Sequence, residues 1–100
     1  MPPMSETRTT RTVVVTDPVG LHLRTALAIA TAVRGGKSQV TLIKDQQSAL
    51  GTEVLQILTL VAIQGEKVSL EAIGPDADDV LNAIEPLFAG QFGDEAQKNA

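Results

Sequence analysis

The chain has 100 residues, enough for one domain with a modest core, and its 43% apolar and 20% charged content is ordinary for a globular protein. A net charge of −4, a pI near 4.7 and the lack of Trp and Tyr argue against a nucleic-acid partner, which needs a cationic surface and stacking platforms. Without cysteine there is no disulfide or thiolate site, a single histidine cannot build a His-rich metal centre, and no apolar run is long enough for membrane insertion, so neither a metal nor a cofactor is expected.

Residues 1–9 are polar, include Pro2 and Pro3, and read as a disordered N-terminal tail. They lack the apolar core of a signal peptide, so a cytoplasmic protein is the expectation. The first strand should run from Thr10 to Thr16, with Val13 and Val15 on one face. Asp17-Pro18-Val19-Gly20 is turn chemistry. A helix follows over 23–34, because Ala26, Ile29, Ala30 and Val33 fall on one face and Gly35-Gly36 stops it. Ser38 to Lys44 alternates as a second strand, Asp45 to Ser48 turns, and Gln47 to Leu50 is a short third strand. The second helix is expected over 53–62 with Thr52 as its N-cap, its core face supplied by Ile57, Leu60 and Val61. Lys67 to Ile73 alternates as strand four. After Gly74-Pro75, Asp76 should cap a third helix with Asp78 and Asp79 in its first turn. Pro86 should loosen the end of that helix, and residues 90–100 read as a polar C-terminal tail. The order β-α-β-β-α-β-α suggests an α+β, open-faced arrangement: a four-stranded, mostly antiparallel sheet with three helices on one face.

The residue of chemical interest is His22, the one histidine, at the expected start of the first helix. A helix N-terminus has unpaired N–H groups and partial positive charge, so it favours anions, phosphate among them. Arg24 adds a cationic fork suited to phosphate. Imidazole is a nucleophile at neutral pH. His22 is therefore expected to carry a phosphoryl group. Use of His22 as a general acid or base in a small enzyme is the alternative from another class, and the sequence shows no second group beside it to orient a base. Leu23 and Leu27 lie on the shoulder of the first helix's buried face, and Val54, Leu55 and Leu58 adjoin the core face of the second. Together they either form one exposed apolar patch beside His22, suited to partner docking, or are simply core.

Gly20-Leu21-His22-Leu23-Arg24-Thr25-Ala26 resembles the active-site motif of HPr, the histidine-containing phosphocarrier of the bacterial phosphoenolpyruvate-dependent sugar phosphotransferase system. That motif usually reads Gly-Leu-His-Ala/Thr-Arg-Pro-Ala. The likeness continues through Ser38 to Asp45, Gln64 to Ala72 and Gly74 to Ala77, and an HPr-like domain is expected over residues 10–89. The resemblance implies that enzyme I, phosphorylated by phosphoenolpyruvate, donates to Nδ1 of His22, that Arg24 assists, and that a IIA-type domain accepts. It implies that Leu23, Leu27, Val54, Leu55 and Leu58 dock both partners, and that the protein is a monomeric carrier rather than an enzyme. A regulatory, nitrogen-type or regulator-binding relative uncoupled from sugar transport is the second reading.

The chain departs from the pattern in places. Thr25 replaces the usual proline, which suits a first helical turn. Gln46 replaces a common turn glycine, and the tail after the third helix is longer than usual. Glu53 stands at the regulatory position, where many members carry a serine phosphorylated by an ATP-dependent kinase.

Overall fold

The computed structural model describes residues 7–92. Strand β1 (Thr7–Val14), helix α1 (Leu23–Arg34), strands β2 (Gln39–Lys44) and β3 (Gln47–Leu50), helix α2 (Val54–Thr59), strand β4 (Lys67–Gly74), helix α3 (Ala77–Ile84) and a 3-10 turn over Glu85–Ala89 follow in chain order. The sheet order is β1-β4-β2-β3 and every pairing is antiparallel. This is the expected open-faced α+β layer of a four-stranded sheet and three helices.

Alternation along the strands decides which face is buried. Val40 and Leu42 of β2 stand opposite Ala72 and Leu70 of β4, and all four are buried. Ala26, Ile29, Ala30 and Val33 of α1 cover them, as do Val80, Leu81 and Ile84 of α3. Phe88 is the one aromatic side chain fully inside an otherwise aliphatic core. Pro86 lies at the start of the 3-10 turn, so the third helix ends at Ile84 and the chain tightens rather than continuing as α-helix.

Several boundaries differ from the sequence reading. Strand β1 begins at Thr7, inside the segment read as tail, because Thr7, Arg8 and Thr9 pair with Gly74, Ile73 and Ala72. Arg8 also meets Glu71 at 3.0 Å. The remainder of the expected tails, residues 1–6 and 93–100, lies outside the described residues. The hairpin turn needs only Asp45 and Gln46, since Gln47 and Ser48 already belong to β3. Helix α2 is shorter than expected and stops at Thr59, and its N-cap is Glu53 rather than Thr52. Leu60 is buried, but Val61 turns to φ +50°, which ends the helix and leaves its side chain 66% exposed. Val61 is therefore not core; Ala62 takes the inward position.

Candidate functional site

The site begins with the turn that leaves the sheet. Thr16 and Asp17 both donate their N–H groups to the Phe88 carbonyl, which ties the turn to the end of the 3-10 segment. The Asp17 side chain closes the turn by accepting the Val19 N–H at 2.9 Å, and the Gly20 N–H donates to the Asp17 carbonyl at 2.9 Å. Gly20 sits at φ +82°, and a Cβ there would lie 2.9 Å from the Ala62 carbonyl oxygen. Glycine is needed both for that conformation and for the close approach. Leu21 is then buried, its N–H donating to the Ala62 carbonyl at 2.9 Å. The loop behind is itself tied down: Glu66 accepts the Ile63 N–H at 2.9 Å, and that bond, with help from Lys44, holds the Glu66 carboxyl below its ordinary pKa.

This anchoring places His22 as the N-cap of α1, with extended backbone and no cap bond from its side chain. The His22 carbonyl accepts the first helical bond, from the Ala26 N–H. The N–H groups of Leu23, Arg24 and Thr25 thus have no intrahelical acceptor, and no acidic residue occupies the first turn. Nε2 of His22 lies 3.3 Å from Oδ2 of Asp17, whose side chain is 9% exposed against 28% for His22. With the Asp17 carboxylate as acceptor, the contact assigns the proton of a neutral imidazole to Nε2 and leaves the lone pair on Nδ1. Gly90, at φ +84°, makes room for this carboxylate: a Cβ there would meet Asp17 Oδ2 at 2.9 Å.

Arg24 is exposed, with its Cζ 4.6 Å from the centre of the Phe92 ring. The same ring meets the imidazole edge-on, centroids 5.7 Å apart and planes at 77°. Thr25 is fully buried, and its hydroxyl has no hydrogen-bond partner among the described residues.

The structure brings His22 and Arg24 together and sets α1 beside α2. Leu23, Leu27 and Leu55 are exposed, at 56%, 50% and 77%, which is not the behaviour of core residues. Val54 and Leu58 are half-buried against the core, so the apolar five divide into an exposed three and a supporting two. Glu53 stands at the head of α2 without a cap bond and accepts from the Thr52 hydroxyl at 3.2 Å.

Sequence reasoning missed two residues. It found no group beside His22 to orient the imidazole, and Asp17 is that group. The Asp-Pro turn concealed it, because one carboxylate oxygen closes the turn while the other reaches the ring. Phe92 falls in the stretch that reads as a polar tail, and its aromatic character, in a chain with two phenylalanines, is its one signal.

An imidazole held through Nε2 by a carboxylate, at a helix start with unpaired N–H groups and with a guanidinium nearby, suits the temporary holding of a phosphoryl group. Fold and site thus define a small phosphoryl carrier. The sequence model of the family described as "PTS HPr component phosphorylation site" matches residues 9–90. The chain belongs to this HPr family, whose members are phosphocarriers and not enzymes.

Among similar proteins, the phosphocarrier protein NPr of Escherichia coli (strain K12) is 29% identical over 86 residues, 85% of this chain and 96% of that protein. The phosphoryl donor subunit DhaM of the PEP-dependent dihydroxyacetone kinase from Providencia stuartii is 36% identical over 90% of this chain, which spans only 19% of that protein. The crystal structure of HPr-C-His from Thermoanaerobacter tengcongensis superposes with a TM-score of 0.77 at 27% identity, covering 85% of this chain and 96% of that one.

Proposed function

We propose that His22 accepts a phosphoryl group from phosphorylated enzyme I and passes it to a IIA-type domain of the sugar phosphotransferase system. The observation that carries this reading is the Asp17 carboxylate on Nε2, which leaves Nδ1 as the attacking atom at the head of α1. In the forward step the Nδ1 lone pair forms the N–P bond as the donor's bond to phosphorus breaks and its electron pair stays with the donor. The Nε2 proton remains on the ring, facing Asp17. Charge on the phosphoryl oxygens meets the first-turn N–H groups and Arg24. Delivery to the acceptor reverses these movements. The carrier is expected to work as a monomer in the cytoplasm. No helix among the described residues is long and apolar enough to cross a membrane. The docking face for both partners is Leu23, Leu27 and Leu55, supported by Val54 and Leu58.

Incubation with phosphoenolpyruvate and enzyme I tests this. Wild type should acquire one acid-labile phosphate, and His22→Ala should fold and acquire none. Labelling of His22→Ala at the normal rate would refute the assignment.

A second reading is favoured by the likeness to NPr and DhaM and by Glu53. In it the same carrier serves a regulatory or nitrogen-type branch, or the phosphoryl-donor machinery of a dihydroxyacetone kinase, rather than sugar uptake. Transfer from the phosphorylated chain to a sugar IIA domain, to a nitrogen-type IIA domain and to a dihydroxyacetone kinase separates these destinations. Glu53 lacks the hydroxyl that a serine kinase needs, and it places one permanent negative charge where a phosphoserine would place nearly two. Kinase control should be absent, and Glu53→Ser should be phosphorylated by enzyme I somewhat faster than wild type. Kinase labelling of wild type on the neighbouring Thr52 would show that the switch survives one residue earlier, and equal enzyme I rates would leave Glu53 as a helix-end residue only.

A further inference from the structure

Phe92 takes no part in the transfer step itself. It lies beyond the last helical turn among the described residues, yet its position is set by backbone bonds: Gly90 takes the left-handed conformation, its N–H donates to the Leu87 carbonyl, and the Gln91 N–H donates to that of Pro86. These bonds turn the chain back toward the first turn of α1. Phe92 is half-buried against the core and lines a groove with Leu27 and Leu87. Its ring meets the imidazole edge-on at 5.7 Å and underlies the Arg24 guanidinium at 4.6 Å. No hydrogen bond or ion pair holds the Arg24 side chain among the described residues, so the aromatic face is what fixes it.

We propose that Phe92 is a positioning residue that stores the Arg24 guanidinium beside His22 in the unmodified protein and releases it to the phosphoryl group once His22 is modified. The proposal rests on phosphoryl transfer at His22. A free arginine loses many rotamers when it is ordered, and that entropy opposes every transfer. Stored on the ring, the guanidinium is ordered beforehand and remains next to the imidazole. The store must also be weak. A cation–π contact at an exposed site is weaker than charge-assisted hydrogen bonds to a phosphoryl group, so modification of Nδ1 draws Arg24 away from the ring.

The test joins kinetics to a spectroscopic signature. Phosphorylation by enzyme I should slow about 2- to 10-fold in Phe92→Ala, the scale of ordering one long side chain. Phe92→Leu, which keeps the apolar bulk without a π face, should be slowed equally, and Phe92→Tyr should restore the rate. On an Arg24→Ala background, Phe92→Leu should have no further effect. In proton NMR of the full chain, the Arg24 Cδ and Nε protons should lie upfield from ring current, lose that shift in Phe92→Leu, and lose it in wild type treated with phosphoramidate. That reagent phosphorylates imidazole with release of ammonia and needs no protein donor. Absence of the upfield shift in unmodified wild type, or a wild-type rate in Phe92→Leu, would overturn the proposal. Failure of enzyme I to label wild type while the Arg24 shift is present would instead overturn the carrier reading and leave the aromatic contact standing.

Discussion

Two helices of this molecule begin in opposite ways. Helix α3 opens with Asp76 at its N-cap and Asp78 and Asp79 in its first turn. The Asp76 carboxylate accepts from the Ser38 hydroxyl and, at 2.9 Å, from the Lys37 N–H, tying the helix start to the β2 approach. Those bonds, the Ser38 one foremost, hold its carboxyl below the ordinary aspartate pKa. Helix α1 opens with His22, has no acidic residue in its first turn and adds Arg24. Both ends carry the same backbone field. At α3 the chain's own carboxylates answer it, and the result is structural. At α1 an imidazole and a guanidinium stand there instead, so the field is left for the phosphoryl group proposed to arrive and leave.

The sharpest way to break this contrast is to reverse the sign at α1. Arg24→Ala should slow phosphorylation by enzyme I about 10²- to 10³-fold, the worth of one electrostatic group, and Arg24→Glu should slow it further while leaving the helix intact. Stopped-flow or quench kinetics with labelled phosphoenolpyruvate measures both, and equal rates for wild type and Arg24→Glu would mean that the field at α1 is irrelevant.

A smaller effect separates docking from packing. Leu55→Glu should raise the apparent KM for enzyme I about five-fold or more, as for a contact at the centre of an interface, while stability changes within about 0.5 kcal/mol. Leu58→Glu, at a half-buried position, should lower the melting temperature clearly. Thermal melts followed by circular dichroism distinguish them, and a collapse of Leu55→Glu would return that residue to the core.

The smallest effect belongs to α3. Asp76→Ala should lower the melting temperature and leave transfer unchanged. Because the folded pKa of Asp76 lies below the unfolded one, its contribution is complete above the ordinary aspartate pKa and disappears as pH falls through the folded value. The acid limb of a stability–pH curve should therefore flatten in Asp76→Ala; an unchanged limb would show that the Ser38 contact carries no stability.

Much of this was legible in the sequence, for identifiable reasons. Helix α1 has a clean apolar face and a Gly-Gly stop, and its ends were read correctly. The helix in the apolar run after Glu53 is shorter than the run, because apolar character alone fixes neither helix nor burial: Leu60 is buried outside the helix, and Val61 is exposed at a positive φ. The start of β1 was illegible because polar Arg8 and Thr9 gain their partners, Glu71 and Asp78, from sequence more than sixty positions away. At the site, His22 and Arg24 are local signals that a motif can carry. Asp17 and Phe92 reach His22 through a turn and a chain reversal, geometry that their immediate neighbours do not spell out.

Asp17 is proposed to fix the imidazole so that Nδ1, not Nε2, is the acceptor. Nitrogen-15 and phosphorus-31 NMR of the phosphorylated, histidine-labelled protein reads this directly. A single phosphohistidine at His22 is expected, with phosphorus coupled to Nδ1 and the proton retained on Nε2. Phosphorus on Nε2, or a stable phosphate elsewhere in the chain, would contradict it.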